Sequence, residues 1–142
     1  MAGPECPICS KHRGGGPLTG PVVYADELVL VTHRAGGALG YAFIETRRHV
    51  ASLDQLTDRE AGVVGAVRTR LTRALRDELQ VDSVHAMVAG LAVPHFHEHV
   101  FVRHRGTPEQ LPWWQQWDGA PCGDTDALAR RLSLHLADGR AL

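Results

Sequence analysis

The sequence HFHEHVF at positions 95–101 carries three histidines at alternate positions. On a β-strand, alternate side chains share a face, so His95, His97 and His99 would lie side by side. Imidazole titrates near neutral pH, and three such rings can bind a metal, move a proton or attack an electrophile. A strand of solvated histidines is the plain alternative. The GLAVP stretch at 90–94 favours a functional site, because its glycine allows backbone N–H groups to approach a ligand.

A second group of candidate ligands lies near the N-terminus, where Cys6 and Cys9 form a Cys-x-x-Cys pair. A closed zinc site needs four ligands, so two more must come from elsewhere in the chain. The candidates are His12, His33, His49 and any histidine of the triplet. A redox pair or a fortuitous pair stays open as an alternative. Cys122 is isolated and is interpreted as a packing or surface thiol.

Length and composition limit the chain to one domain. It has 142 residues, of which 44% are hydrophobic and 22% are charged, so it can bury a core of its own. Lysine and arginine number 15 against 16 acidic residues, which gives no basic field for nucleic acid or an anionic membrane. No apolar stretch approaches the roughly 20 residues that span a bilayer, and no signal-peptide pattern opens the chain. We therefore expect a cytoplasmic protein without a nucleic-acid or membrane partner.

Five runs of strand-forming residues are separated by turn residues. They cover 22–24, 28–31, 41–45, 81–89 and 96–103. The first two flank a short polar connection, which predicts a hairpin. A loop-rich lead-in is expected over residues 1–20, which are rich in glycine and proline. Residues 106–142 are expected to form a C-terminal extension that begins with a tryptophan-rich loop.

The clearest helix begins near Thr57, and Glu60 three residues later completes a capping box. Apolar residues then recur at three- and four-residue steps as far as Leu79, with arginines mostly between them. A second, short helix is expected at 128–136. The pattern predicts a single α+β domain over residues 1–142, in which a mostly antiparallel sheet packs against one long helix.

Together these features resemble the histidine triad (HIT) superfamily of nucleotide hydrolases and nucleotidyl transferases, whose signature alternates histidines with apolar residues. The likeness extends beyond HFHEHVF to the Cys-x-x-Cys pair, to GYAFIE at 40–45 and to RRH at 47–49. The likeness also includes the tripeptide Gly106-Thr107-Pro108. In these features the chain is similar to the zinc-containing bacterial hydrolases of the superfamily. The resemblance implies a HIT-like fold and an enzyme that acts on nucleotides.

The resemblance also implies catalytic roles. His97, the middle histidine, would attack the α-phosphorus of a nucleotide and form a nucleotidyl-histidine that water then hydrolyses. His99 would bind phosphate oxygens as charge develops, helped by backbone N–H groups between Gly90 and Val93. His33 takes roughly the place of a polar residue for the ribose. From its charge, Arg103 is a candidate for neutralising an anionic leaving group.

A structural zinc ion and a homodimer are further implications of the resemblance. The ligands that match zinc-containing members are Cys6, Cys9, His49 and His95. One closed, four-coordinate zinc per chain would orient the strand that carries the nucleophile. The family pairs its long helix and the adjacent strand across a two-fold axis, which implies a dimer here.

Three positions depart from the family pattern. Glu98 stands where an apolar residue is expected, and a buried carboxylate must be paired or reach solvent. Leu91 and Ala92 stand where the phosphoramidase branch carries a glutamine and a hydroxyl. Because a methyl group cannot relay a proton to a departing amine, we expect phosphoanhydrides such as dinucleoside polyphosphates to be the favoured substrates.

Two other functions stay open at this point. A nucleotide-binding, zinc-stabilised interaction protein would keep the fold with weak or no turnover. A metalloenzyme would instead use His95, His97 and His99 as catalytic zinc ligands. In that case the Cys-x-x-Cys pair and His49 would lack a role.

Overall fold

The computed structural model describes residues 5–139, which form one five-stranded sheet and three α-helices. The strands are β1 (Val22–Ala25), β2 (Val29–His33), β3 (Tyr41–Thr46), β4 (Val81–Met87) and β5 (His97–His104). The helices are α1 (Pro7–His12), α2 (Asp58–Glu78) and α3 (Thr125–Gly139), and a 3₁₀ turn covers Leu53–Gln55. Within these residues, no helix combines the length and the apolar character that crossing a membrane requires.

The sheet is antiparallel throughout, and its strand order is β1-β2-β3-β5-β4. β5 therefore lies between β3 and β4. The register places His97 opposite Glu45 and His99 opposite Phe43 on β3. Since directly opposed residues point to the same side of a sheet, these four side chains share one face. The predicted α+β class and the mostly antiparallel sheet are confirmed.

The helices α2 and α3 pack against the sheet around the hydrophobic core. α2 begins with the predicted capping box: Thr57 Oγ1 accepts the N–H of Glu60, and the Glu60 carboxylate accepts the N–H of Thr57. Its apolar residues are buried together with those of α3 and β5. This core includes Val64, Val67, Leu71, Leu75, Val100, Leu128 and Leu132. The long helix is confirmed, but it shares the core with α3.

The lead-in, expected to be rich in loops, also contains the short helix α1. Cys6 caps this helix by accepting the N–H of Cys9 on its sulfur, and a proline follows at the first helical position. A six-residue helix has too few turns to show a periodic apolar pattern. Residues 1–4 lie outside the described part of the chain.

The C-terminal helix is longer than predicted, since α3 starts at residue 125 instead of 128 and continues to 139. Asp124 accounts for the earlier start, because its carboxylate accepts the N–H of Ala127 at 3.0 Å. This is a helix cap of the usual Asp type, and it precedes the first apolar residue of the pattern. The last three residues, 140–142, are outside the described range.

Glu98 is only 2% exposed, although it is a carboxylate in the core layer of β5. Arg68 of α2 pairs with it through two hydrogen bonds, from Nε to Oε2 at 2.6 Å and from Nη2 to Oε1 at 2.7 Å. The Arg68 side chain is 41% exposed, so one member of the pair reaches water. This two-pronged pairing explains how a carboxylate stands where the family pattern has an apolar residue.

Replacing Arg68 by alanine leaves the Glu98 carboxylate buried without its partner. We expect Arg68→Ala to lower the free energy of unfolding by about 1–3 kcal/mol, less than for a fully buried pair because Arg68 is partly solvated. Urea unfolding measures the change. Arg59→Ala is the matched control, because Arg59 lies on the same helix and pairs with Glu27 in solvent, where a pair contributes at most about 1 kcal/mol. Equal losses in the two variants would contradict the assignment.

Candidate active site and metal centre

The structure brings the four predicted metal ligands together, with their ligand atoms all within 4.8 Å of one another. Cys9 Sγ lies 3.3 Å from His49 Nδ1 and 3.5 Å from His95 Nδ1. Cys6 Sγ is 3.5 Å from His95 Nδ1, and the two Nδ1 atoms are 3.2 Å apart. A tetrahedral site with Zn–S of about 2.3 Å and Zn–N of about 2.0 Å has edges of about 3.3–3.8 Å. The donor set and its spacing therefore fit a four-coordinate zinc ion.

Separate parts of the fold deliver these ligands. Cys6 and Cys9 come from the start of α1, His49 follows β3, and His95 immediately precedes β5. His95 Nε2–H donates to the Thr46 carbonyl at 2.7 Å, which leaves Nδ1 as the ligand atom. With four protein ligands the site is closed, so its metal cross-links α1 to the sheet and leaves no position for substrate.

Only the first histidine of the triad belongs to this cluster. His95 lies before the strand, and its N–H donates to the Val93 carbonyl in a turn. The prediction that all three histidines line up on a strand is therefore wrong for His95. Its ring contacts the cysteines and His49, whereas His97 and His99 are outside the cluster. A catalytic metal site made of all three triad histidines is not formed.

His97 is the first residue of β5 and is half-buried. Its Nδ1–H donates to the backbone carbonyl of His95 at 2.7 Å. A carbonyl oxygen only accepts hydrogen bonds, so this contact puts the ring proton on Nδ1. Nε2 of the neutral ring then carries a lone pair, which is the form that a nucleophile or a general base requires.

His99 Nδ1 lies 2.7 Å from the hydroxyl of Tyr41, within hydrogen-bond distance. Burial raises the pKa of Tyr41, so its hydroxyl keeps its proton and is able to donate to Nδ1. Burial, and next the positive charge that His97 has when it is protonated, lower the pKa of His99, so this ring is neutral at neutral pH. When Tyr41 donates to Nδ1, the proton of the neutral His99 ring is on Nε2, where it can be donated to a ligand.

A cavity of about 300 Å³ lies beside both histidines. Its apolar lining comes mainly from Ile8, Pro17, Leu18, Phe43 and Val93. Charged residues line it as well: Lys11 and Glu45 lie at its wall and Arg34 at the end of β2. A mostly apolar cavity with a few polar groups is typical of a small-molecule site.

The other predicted ligand residues are distributed around this region. Val93 lines the cavity, and Gly90 lines a second cavity of about 340 Å³ that also reaches His97. The guanidinium of Arg103 donates to the carbonyl of Leu111 at 3.0 Å and to that of Pro108 at 2.5 Å. Its two terminal nitrogens thus hold the C-terminal extension, and Arg103 is not among the residues that line the cavity beside His97 and His99.

His33 does not reach the cavity as a ribose ligand. It is fully buried, and its Nδ1–H donates to the Arg34 carbonyl at 2.7 Å. Its Nε2 accepts the N–H of Gly40 at 2.8 Å. Burial lowers the pKa of His33, which keeps Nε2 available as an acceptor. Both ring nitrogens are used inside the protein, so the ribose role expected for His33 is wrong.

Three residues of the site were missed by sequence reasoning. Tyr41 had been assigned only to a strand, Lys11 only to the lead-in, and Glu45 only to a strand end. His12, an open candidate for the metal, instead donates to Glu45 at 3.0 Å. The one available signal was the alternation on β3, which puts residues 41, 43 and 45 on one face.

Residues 18–106, more than half of the chain, match the family model of the HIT domain. This segment contains His97 and His99 on β5 and the neighbouring strand β3. The chain belongs to the HIT family. Members of that family are generally nucleotide-binding proteins or hydrolases. A search among curated proteins found no match.

Solved structures of HIT proteins have the same fold. A zinc-bound histidine triad protein from Mycobacterium smegmatis is 23% identical over 96% of each chain, with a TM-score of 0.73. A hypothetical histidine triad nucleotide-binding protein from Sulfolobus tokodaii is 17% identical over 94% of this chain and 93% of its own, with a TM-score of 0.70. A HIT family hydrolase from Clostridium thermocellum is 18% identical over 78% of this chain and its full length, with a TM-score of 0.58. At these identities the likeness establishes the fold alone.

We expect one zinc ion per chain and a lower melting temperature after a chelator removes it, since metal binding at such a site is coupled to folding. Metal analysis and thermal unfolding check this. Cys9→Ser should lose the metal, whereas Cys122→Ser and His97→Ala should keep it. Unchanged melting after complete metal removal, or zinc loss in His97→Ala, would contradict the assignment.

Proposed function

We propose that this protein is a nucleotide hydrolase or nucleotidyl transferase that cleaves at the α-phosphate of a nucleoside monophosphate conjugate. The proposed nucleophile is His97. The observation that carries this proposal is the hydrogen bond from His97 Nδ1–H to the His95 carbonyl, because it leaves a lone pair on Nε2. Membership of a family of nucleotide-binding proteins and hydrolases supports the substrate class.

The reaction proceeds in two displacements at phosphorus. His97 Nε2 forms an N–P bond while the bond from phosphorus to the leaving group breaks, and the leaving group departs with the bonding electrons. Water, or another hydroxyl acceptor in a transferase, then forms an O–P bond as the N–P bond breaks, and the proton that it loses passes to the solvent or to the released anion. The products are the nucleoside monophosphate and the released group, and His97 returns to its neutral form.

His99 donates to the phosphate during both steps. Its Nε2–H can bind a non-bridging oxygen as negative charge develops, and Tyr41 holds the ring in that tautomer. The loop at 88–94 brings backbone groups beside the same phosphate position, since Val93 lines the cavity next to both histidines. In this proposal Tyr41 is a positioning residue, because it acts through His99.

His97→Ala should lower kcat by about 10³-fold or more, because it removes the atom that bonds to phosphorus. Affinity for a nucleoside monophosphate should change little. Trapping with radiolabelled nucleotide should give an acid-labile histidine adduct in the native protein and none in the variant. A variant with near-native activity would exclude the covalent mechanism. Binding without turnover or adduct in the native protein would favour the alternative of a nucleotide-binding interaction protein.

The proposed leaving group is a phosphate or nucleotide, as in dinucleoside polyphosphates. An amine must be protonated before it leaves phosphorus, and the methyl group of Ala92 cannot relay a proton. Ala92 lies in an exposed part of the loop that precedes Val93. A phosphate leaves as a stable anion, so it loses less when the relay is missing.

We expect a higher kcat/KM for dinucleoside polyphosphates than for adenosine phosphoramidates. General acid catalysis contributes about 10²–10⁴-fold, so Ala92→Ser should raise activity on the phosphoramidate selectively. Steady-state kinetics on both substrates measures this. The proposal fails if the native protein prefers the phosphoramidate and Ala92→Ser changes neither value.

A homodimer formed through β4 is also proposed. β4 is an edge of the sheet, and within the described residues no strand pairs with its outer side. Its residues His85 and Ala86 are exposed, and an unpaired strand edge is suited to pairing with a second copy. Light scattering at micromolar concentration should give twice the monomer mass of 15.5 kDa. The monomer mass would overturn this proposal.

A cytoplasmic location without nucleic-acid or membrane partners completes the proposal. The near balance of charge supports it, because neither a duplex nor an anionic membrane is attracted by a net charge of -1. The two cysteines of the metal cluster also suit a reducing compartment, where thiols are kept from forming disulfides.

A further inference from the structure

A buried charged pair forms part of the cavity wall. Lys11 Nζ donates to Glu45 Oε2 at 2.9 Å, and His12 Nε2 donates to Glu45 Oε1 at 3.0 Å. The Lys11 and Glu45 side chains are each only 3% exposed. Both residues nevertheless line the cavity that contains His97 and His99. The catalytic steps above use neither of them.

The pair lies close to the nucleophile. Glu45 is directly opposite His97 in the register of β3 and β5, and directly opposed side chains have Cβ atoms about 4.5–5.5 Å apart. Lys11 Nζ is 5.1 Å from the centre of the Phe43 ring, which lines the same cavity. A ligand whose phosphate lies at His97 and whose apolar surface contacts Phe43 therefore lies within reach of this pair.

The pair retains hydrogen-bonding capacity. An ammonium group has three donors, and Glu45 uses one of those on Lys11. A carboxylate offers about four lone-pair positions, and Lys11 and His12 use two of them. The wall thus offers donors from Lys11 beside acceptors from Glu45. A group that carries an acceptor next to a donor complements it, whereas a phosphate, which only accepts, would be repelled by the carboxylate.

We propose that the Lys11–Glu45 pair is the specificity determinant of this cavity and that it hydrogen-bonds an acceptor–donor edge of the bound nucleoside. This inference rests on the proposed function for its ligand class. Two parts of a nucleoside have such an edge: the 2′,3′-diol of the ribose, and the carbonyl and N–H groups of a base. Lys11 donates to the acceptor atom and Glu45 accepts from the hydroxyl or N–H.

Equilibrium binding of nucleoside 5′-monophosphates to the zinc-loaded protein tests this without requiring turnover. One arm compares each ribonucleotide with its 2′,3′-dideoxy form, and the other compares the four bases on ribose. Hydrogen bonds to charged groups predict a ratio of dissociation constants of about 10–100-fold in the arm that the pair recognises. Calorimetry gives this ratio, and it does not depend on the fraction of folded protein.

Glu45→Gln should reduce the ratio in the recognised arm to less than about threefold, because the amide replaces an acceptor by a donor. Lys11→Met removes the ammonium donors of the other member of the pair, and the same ratio of dissociation constants is measured for it. Glu98→Gln is the matched control, since it neutralises another buried, ion-paired carboxylate without altering the cavity, and it should keep the native ratio.

The outcomes separate the two proposals. If the Glu45→Gln and Lys11→Met variants no longer discriminate between ribonucleotides and their dideoxy forms, the pair is assigned to the ribose. If they no longer discriminate among the four bases, the pair is assigned to the base. A native protein that discriminates in neither arm, or variants that keep the native ratios, would overturn the inference while leaving the His97 adduct unaffected. Discrimination by a protein that forms no adduct would retain the inference and overturn the proposed reaction.

Discussion

His95 joins the metal centre and the candidate nucleophile into one unit. Its Nδ1 belongs to the ligand cluster, and its Nε2–H donates to the Thr46 carbonyl. Its backbone carbonyl accepts the Nδ1–H of His97, which sets the tautomer of that ring. Because the His95 ring is held at both nitrogens, the backbone of the same residue is restrained. The His95 carbonyl, which orients His97, is therefore held in place as well. A metal bound at this cluster would therefore help to fix the peptide group that orients the His97 ring.

The same cluster explains why α1 exists. A six-residue helix is too short to be stable in water on its own, since helix nucleation is costly and few hydrogen bonds follow it. Two of the four cluster ligands come from its N-cap, Cys6, and its first turn, Cys9, so a bound metal would tie this segment to the sheet. Once fixed, α1 carries Lys11 to the cavity wall. The metal centre thus also contributes to the shape of the cavity.

Sequence reasoning was most successful where the signal was local or part of a recognised motif. The capping box at Thr57 and the apolar repeat after it predicted α2, and alternation predicted the face shared by His97 and His99. The metal ligands followed from the family resemblance, since spacing alone left His12 and His33 open. Alternation also showed that Glu98 must be paired, but α2 carries several arginines. Only the packing of α2 on the sheet selects Arg68.

The misses involve contacts between residues far apart in the chain. Lys11 and Glu45 are 34 positions apart, and neither has a local pattern that indicates the other. His33 matches a polar position of the family, yet the turn that follows β2 brings the Gly40 N–H to Nε2, and the Arg34 carbonyl accepts from Nδ1. In both cases the chain path determines the partner, and the chemistry of the residue alone leaves it open.

The two buried carboxylates of the sheet differ in a way that bears on function. Glu98 is paired with an arginine that reaches water, so the ionic group is incompletely desolvated. Glu45 is paired with a lysine that is as buried as itself. Burial alone would raise the pKa of Glu45, but hydrogen bonds from His12 and Lys11 hold it below its ordinary value, so the carboxylate stays ionised. Replacing a buried ion pair with apolar residues of similar volume is often neutral or stabilising. The stability of the fold therefore does not explain why Lys11 and Glu45 are charged residues. Recognition of a polar ligand in the adjoining cavity would explain it.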